Sequence, residues 1–222
     1  MKKLHTLLAA LSFAGIASAQ SQPSFGIAGG MIYSNLSGDA MKSVQSMLDY
    51  TNGMVSKEPH IGYYFGISGT LPISENVSVQ PGINYSQKGA KLVGNFNLKG
   101  LDILSPNASA ALQMNYFEVP LLLKASMGKG LKVFAGPQVS YLSNAMLQVK
   151  AGALGINLLD KSIDATPQFN RWNVGASAGL EYKLINNISI SAAYDYGFSK
   201  LDKNKSVNSN IGNARVGLTI HF

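Results

Sequence analysis

The sequence predicts an all-β fold, an eight-stranded antiparallel transmembrane β-barrel of the outer-membrane type, with long extracellular loops and short periplasmic turns. Three observations carry this expectation. Apolar and polar residues alternate through successive segments of about ten residues, the length of a tilted barrel wall. The connections between these segments are long and short in turn, as in barrels whose turns lie in the periplasm and whose loops lie outside. The 222-residue chain is 46% hydrophobic and only 13% charged. Past residue 20, however, no apolar run approaches the ~18 residues of a spanning helix.

The N-terminus reads as an address. Lys2 and Lys3 precede a mostly apolar stretch, residues 4–17, that is too short for a stable span. Ala17-Ser18-Ala19 then fits a small-x-small cleavage site. Residues 1–19 are therefore expected to be a cleaved secretory signal peptide, and 20–222 the barrel domain. Loss of Lys2 and Lys3 lowers the formal charge from +7 to +5. With no dense Lys/Arg cluster, nucleic acid is not an expected partner. The chain has no cysteine, which removes cysteine nucleophiles, cysteine metal sites and disulfide scaffolds. Export removes ATP-driven chemistry.

The first strand sets Phe25, Ile27, Met31 and Tyr33 on one face against Ser24, Gly26, Ala28 and Gly30. The second sets Ile61, Tyr63, Phe65, Ile67 and Leu71 against His60, Gly62, Tyr64, Gly66 and Ser68. The third sets Val77, Val79, Ile83 and Tyr85 against Ser78, Gln80, Gly82, Asn84 and Ser86. The fourth, the least regular, sets Phe117, Val119, Leu121 and Leu123 against Tyr116, Glu118, Leu122 and Lys124. The fifth has Val133, Ala135, Val139 and Tyr141 opposite Lys132, Phe134, Gln138 and Ser140. The sixth has Trp172, Val174, Leu180 and Tyr182 opposite Arg171, Asn173, Glu181 and Lys183. The seventh has Ile188, Ile190, Tyr194 and Tyr196 opposite Ser189, Ser191 and Asp195. The eighth has Val216, Leu218, Ile220 and Phe222 opposite Asn213, Arg215, Thr219 and His221.

Long connections are expected at 35–59, 89–112, 144–169 and 200–210, and short turns at 72–76, 126–130 and 185–187. Tyr33, Tyr63, Tyr85, Phe117, Tyr141, Trp172, Tyr196 and Phe198 collect at the long-loop ends, as an interfacial girdle does. Phe25, Tyr182 and Phe222 form a sparser girdle at the turn side. A soluble lipocalin-like barrel would need the apolar face inside, and the many Gly and Ser of the other face oppose that.

Eight strands leave an interior just wide enough for side chains. The inner face is expected to hold Glu118, Lys124, Lys132, Arg171, Glu181, Lys183, Asp195 and Arg215. Buried charges must pair, so the main expectation is a lumen charge network that fills the barrel. A narrow, slightly cation-lined pore is the alternative. An enzyme would rest on His60 as base with Ser68 or Ser86, a poor constellation, and no catalytic site, metal site or cofactor is expected. Among the loops, Met41, Val44, Met47 and Leu48 have near-helical spacing, and 146–164 is apolar enough to prolong two strands as a hairpin. An extracellular partner or ligand would bind at such loops.

QPGINYSQKGAK (80–91) and NYFEVPLLLKA (115–125), with VFAGPQVSYL (133–142) and YDYGFS (194–199), resemble the hallmark segments of the PorT-like outer-membrane β-barrel family over nearly the whole mature chain. Gly82 stands where that family often has Glu. The alternate apolar residues ending in Phe222 resemble the C-terminal signal read by the outer-membrane insertion machinery. The resemblance implies a barrel in the bacterial outer membrane, in contact with its lipid. One branch of the family serves protein secretion and surface display.

Overall fold

The computed structural model describes residues 22–38, 55–58, 60–95, 107–153, 156–201 and 209–222. The expected signal peptide and the helical spacing at 41–50 lie outside the described residues. Ten strand segments form: β1 (Ser24–Gly38), β2 (Val55–Glu58), β3 (His60–Pro72), β4 (Val77–Asn95), β5 (Asn107–Gly128), β6 (Leu131–Ala153), β7 (Ile156–Asp164), β8 (Trp172–Ile185), β9 (Ile188–Gly197) and β10 (Ser209–His221). They make eight walls. β2 and β3 both pair with β4, on successive stretches of it. β7 and β8 likewise share β6 and are separated by a 3-10 turn at Thr166–Gln168. Every neighbouring pair is antiparallel, and β1 pairs with β10 to close the ring.

The register gives the barrel's shear. From Tyr33 on β1, successive partners are Ala214, Tyr194, Ala178, Ala135, Leu123, Val79 and finally Leu71 on β3. The direct partner of Tyr33 on β3 is Ile61, ten residues away. Eight walls with this stagger imply strands tilted ~40° to the axis.

The burial is inside out relative to a soluble protein. Among the described residues, eighteen polar or charged side chains are buried against eleven hydrophobic ones, while Phe25, Met31, Ile61 and Trp172 are more than 60% exposed. Apolar side chains therefore face lipid and polar ones face the lumen, which excludes the lipocalin-like arrangement. Phe65, Tyr85, Phe117, Tyr141 and Trp172 are successive cross-strand partners on the outer face. Ring centroids are 5.3 Å apart for Phe65–Tyr85, 5.4 Å for Tyr85–Phe117 and 5.0 Å for Tyr141–Trp172. Corrected for stagger, Phe25, Tyr182 and Phe222 share one level ~20 Å from the long-loop aromatics, close to the ~25 Å apolar band of such barrels.

The three short turns fall where the alternation breaks. Between β5 and β6, Lys129 (φ 50°) and Gly130 (φ 81°) occupy the left-handed region, the conformation of a two-residue type I′ hairpin. The long connections differ from expectation. Residues 89–95 and 107–112 continue β4 and β5 as paired strand, and 144–153 continues β6 into the expected hairpin with β7. These stretches alternate poorly, but cross-strand hydrogen bonds hold them. A bulge at Ser143, where Asn115 pairs with Asn144 but Tyr116 with Leu142, reverses which residues face inward. Leu142 and Ala145 are both buried as a result. They join Met114, Tyr116, Ala165, Leu201 and Ile211 in an apolar cluster at the long-loop end of the lumen.

The 3-10 turn beyond this cluster is fixed by Asp164. Its carboxylate accepts the Thr166 backbone N–H at 2.9 Å, and the Thr166 hydroxyl in turn accepts the Ala145 N–H at 2.9 Å. Hydrogen bonds from the Thr166 hydroxyl and then its backbone N–H hold the Asp164 carboxyl below its ordinary value. A depressed acid stabilises the fold above its unfolded value and loses that contribution as pH falls through the folded value. Protection of the Thr166 amide from hydrogen exchange is expected to persist on mild acidification and fall only at lower pH. In Asp164→Asn that acid-dependent step should vanish; an unchanged step would remove Asp164 as its cause.

Candidate functional site

Among the described residues, alternation turns the charged side chains of five walls toward each other in the lumen. They meet in two tiers. In the tier nearer the long loops, fully buried Glu118 on β5 receives Lys88 from β4. Its Oε1 also accepts Gln138 Nε2 at 3.0 Å and the Ser140 hydroxyl at 3.4 Å. Across the lumen, Arg215 Nη2 lies 3.3 Å from Asp195 Oδ1 and donates to the Ser177 hydroxyl at 3.2 Å. The Arg215 guanidinium stands 5.0 Å from the Tyr64 ring centre, and Lys88 stands 5.7 Å from that of Tyr116. A charge stacked on a ring face is stabilised by the ring quadrupole without bulk water.

In the tier nearer the turns, Lys124 on β5 pairs with Glu181 on β8, both almost wholly buried. The Lys124 ammonium lies 5.5 Å from the Phe134 ring centre. His221 Nε2 is 4.0 Å from Glu181 Oε1 and 2.9 Å from the Ser189 hydroxyl. Ser, His and Glu thus meet, but without catalytic geometry. Both oxygens approach the same ring nitrogen, so the carboxylate does not orient the other one, and Ser189 is only 2% exposed. Among the described residues no three His, Asp or Glu side chains converge as metal ligands.

Each expected lumen residue can now be placed. Glu118, Lys124, Glu181, Asp195 and Arg215 are buried and paired. Lys132 is partly buried and lines, with Lys124, a turn-side vestibule of ≈ 240 Å³. Arg171 and Lys183 are exposed and outside the network. Arg171 precedes the first residue of β8, where alternation no longer governs direction. Its guanidinium binds the Leu142 and Ser143 carbonyls at 3.3 and 3.1 Å, across the bulge, and lies 6.0 Å from the Tyr141 ring centre. Lys183 lies next to the turn, packed against Gly130. His60 is partly buried at the long-loop end of β3, with its Nε2 lacking a hydrogen-bond partner. Lys88 is the residue that sequence reading missed, although it follows Ser86 on the same inward parity.

Two small voids separate the pairs. One of ≈ 60 Å³ lies among Tyr64, Gln80, Asn84, Lys124, Glu181 and Arg215. One of ≈ 20 Å³ lies among Lys88, Gln138, Asn173, Asp195 and Asn213. Room for one water needs ~10–15 Å³.

Residues 18–203 match the family described as "Outer membrane protein beta-barrel domain". Among curated proteins none matches by sequence. Several solved structures are similar in fold. The attachment invasion locus protein of Yersinia pestis is 14% identical with a TM-score of 0.48, over 91% of this chain and 100% of that one. Neisserial surface protein A is 13% identical at 0.48, over 91% and 100%. OprG from Pseudomonas aeruginosa is 12% identical at 0.40, over 90% and 95%. At such identities and scores these likenesses say nothing of function.

Proposed function

We propose that this chain, which belongs to the outer membrane protein beta-barrel domain family and sits in the bacterial outer membrane, is a non-enzymatic barrel with a filled lumen that meets its partners at the long-loop end. The observation that carries this reading is the pairing of Lys88 with Glu118, Lys124 with Glu181 and Arg215 with Asp195 inside the lumen. The voids left between them, ≈ 60 and ≈ 20 Å³, admit a few waters rather than a hydrated solute. The apolar cluster of Met114, Tyr116, Leu142 and Ile211 stands over the outer end.

The paired segments at 80–91 and 115–125 support placement beside the PorT-like proteins. The run of Val216, Leu218, Ile220 and Phe222 supports delivery by the insertion machinery. Beyond the lipid-facing band, β5, β6 and β7 continue as paired sheet, which supports the long-loop end as the contact surface.

The mature chain, refolded in lipid and inserted into a planar bilayer, is expected to be electrically silent. Reproducible single-channel steps that charge reversal at Lys124 alters would replace this reading with that of a narrow pore.

A further inference from the structure

Three lumen cations are committed. Lys88, Lys124 and Arg215 are ion-paired with Glu118, Glu181 and Asp195. Lys132, the second residue of β6 and half-buried, is not. Among the described residues its ammonium makes no hydrogen bond and no ion pair. Its backbone partner on β8 is Glu181, but that carboxylate is turned to Lys124 and His221.

The register gathers hydroxyls around this free cation. Ser126 on β5 is the direct partner of Lys132. Lys124, two residues earlier, faces Ser78 on β4, and Ser24 on β1 faces Thr70 on β3. All share the inward parity. Five adjacent walls therefore present Ser24, Thr70, Ser78, Ser126 and Lys132 to the turn-side vestibule of ≈ 240 Å³. Among the described residues the hydroxyls of Ser24, Ser78 and Ser126 make no hydrogen bond. That of Thr70 only accepts one, from Gln80 Nε2 at 3.4 Å. Four hydroxyl protons and one ammonium thus face a common space with no acceptor bound to them.

The charge at this end also favours an anion. Lys124 lines the vestibule, but Glu181 neutralises it. Glu75 lines it from the exposed 72–77 turn. Lys124, Lys129, Lys132 and Lys183 stand against Glu75, Glu181 and the terminal carboxylate of Phe222, and none of these acids forms an ion pair with Lys132.

We propose that the turn-side vestibule captures the carboxylate end of a short periplasmic peptide, with the Lys132 ammonium as counter-ion and the Ser24, Ser78 and Ser126 hydroxyls as donors. One uncommitted cation matches one negative charge, and charge-assisted hydrogen bonds are the strong kind. The volume lies below the ~300–1,000 Å³ of drug-sized sites, which suits the last residue or two of a chain. Pro72 and Val77 supply apolar contact for a small side chain. A lipid headgroup, on the outer side of the wall, does not reach these inward residues. The site stands at the opposite end from the long loops and does not depend on what they bind.

The test uses the mature chain refolded in lipid nanodiscs, which leave both ends open to solvent. Acetyl-alanyl-alanine is titrated in, and the amide NMR signals of Ser78, Ser126 and Lys132 are followed. Saturable shifts at these positions are expected. The C-terminal amide of the same peptide should bind at least about ten-fold more weakly. Lys132→Gln should weaken binding by a similar factor, while Lys132→Arg should retain most of it. Lys183→Gln, at the exposed turn rim outside the vestibule, should leave it unchanged. Heat-modifiable gel migration establishes that the variants are folded. Inorganic phosphate, titrated separately, should bind more weakly than the peptide acid. Equal affinity for acid and amide would overturn the proposal, as would undiminished binding in folded Lys132→Gln. Tighter binding of phosphate would replace the peptide carboxylate with a phosphate ligand. Equal losses in Lys132→Gln and Lys183→Gln would mean diffuse attraction to a basic rim and no site.

Discussion

Glu118→Ala is expected to be among the most damaging single substitutions in the barrel wall, lowering stability by ~3–5 kcal/mol, the usual cost of removing one partner from a buried ion pair. Glu118 is fully buried and gathers Lys88, Gln138 and Ser140 on one oxygen. Its loss leaves the Lys88 ammonium, itself only 4% exposed, without an ion-pair partner, beside the Tyr116 ring and the ≈ 20 Å³ void it shares with Asp195. The effect should be asymmetric. Replacing both members, as in Lys88→Met with Glu118→Leu, removes two desolvated charges together and should recover most of the loss. The measurement is urea unfolding in lipid vesicles, followed through Trp172, the single tryptophan of the chain. A Glu118→Ala midpoint matching that of the unaltered chain would show that the pair is hydrated and contributes nothing.

Leu142→Ala is expected to cost ~2–5 kcal/mol by leaving a cavity in the apolar cluster at the outer mouth. Leu142 is fully buried against Met114, Tyr116, Ala145, Ala165, Leu201 and Ile211. Its backbone N–H is fixed to the Arg171 carbonyl at 2.7 Å, so the site has little freedom to collapse around the smaller side chain. Leu142→Met conserves volume and should cost less than ~1.5 kcal/mol. The same unfolding experiment separates the two. Equal, small effects would mean that the cluster is loosely packed and does not brace the outer end.

The wall pattern was legible because period two is local. Alternation put Glu118, Lys124, Glu181, Asp195 and Arg215 on one face, and all five are buried there. Partnership is not local, since Lys88 and Glu118 meet through the register of β4 with β5, which no single segment encodes. Alternation also fails at its own limits. Arg171 lies just before the start of β8 and turns out to the bulge, while Lys183 lies at the turn rim. The Ser143 bulge shifts the inward parity by one residue, so the cluster of Leu142 and Ala145 could not be read by counting in twos. The paired parts of 89–112 were read as loop because polar residues there follow no period, although neighbouring strands hold them in place. Ser24, Ser78, Ser126 and Lys132 were visible in the sequence. That they share one vestibule appears only once the strands are in register.

The closing hairpin-free seam sets the order of assembly. Phe222, the last residue, exchanges backbone hydrogen bonds with Phe25 at 2.8 and 3.3 Å, and β10 runs beside β1 over thirteen paired residues. Ring closure therefore joins the most distant parts of the chain, the contacts with the largest loop entropy to overcome and the slowest class to form. Until that step every partial sheet keeps two bare edges, whose backbone groups hydrocarbon cannot satisfy. Synthesis from the N-terminus gives no stable half-barrel to build on. Open intermediates are therefore unfavourable in lipid, and insertion and ring closure are expected to be coupled.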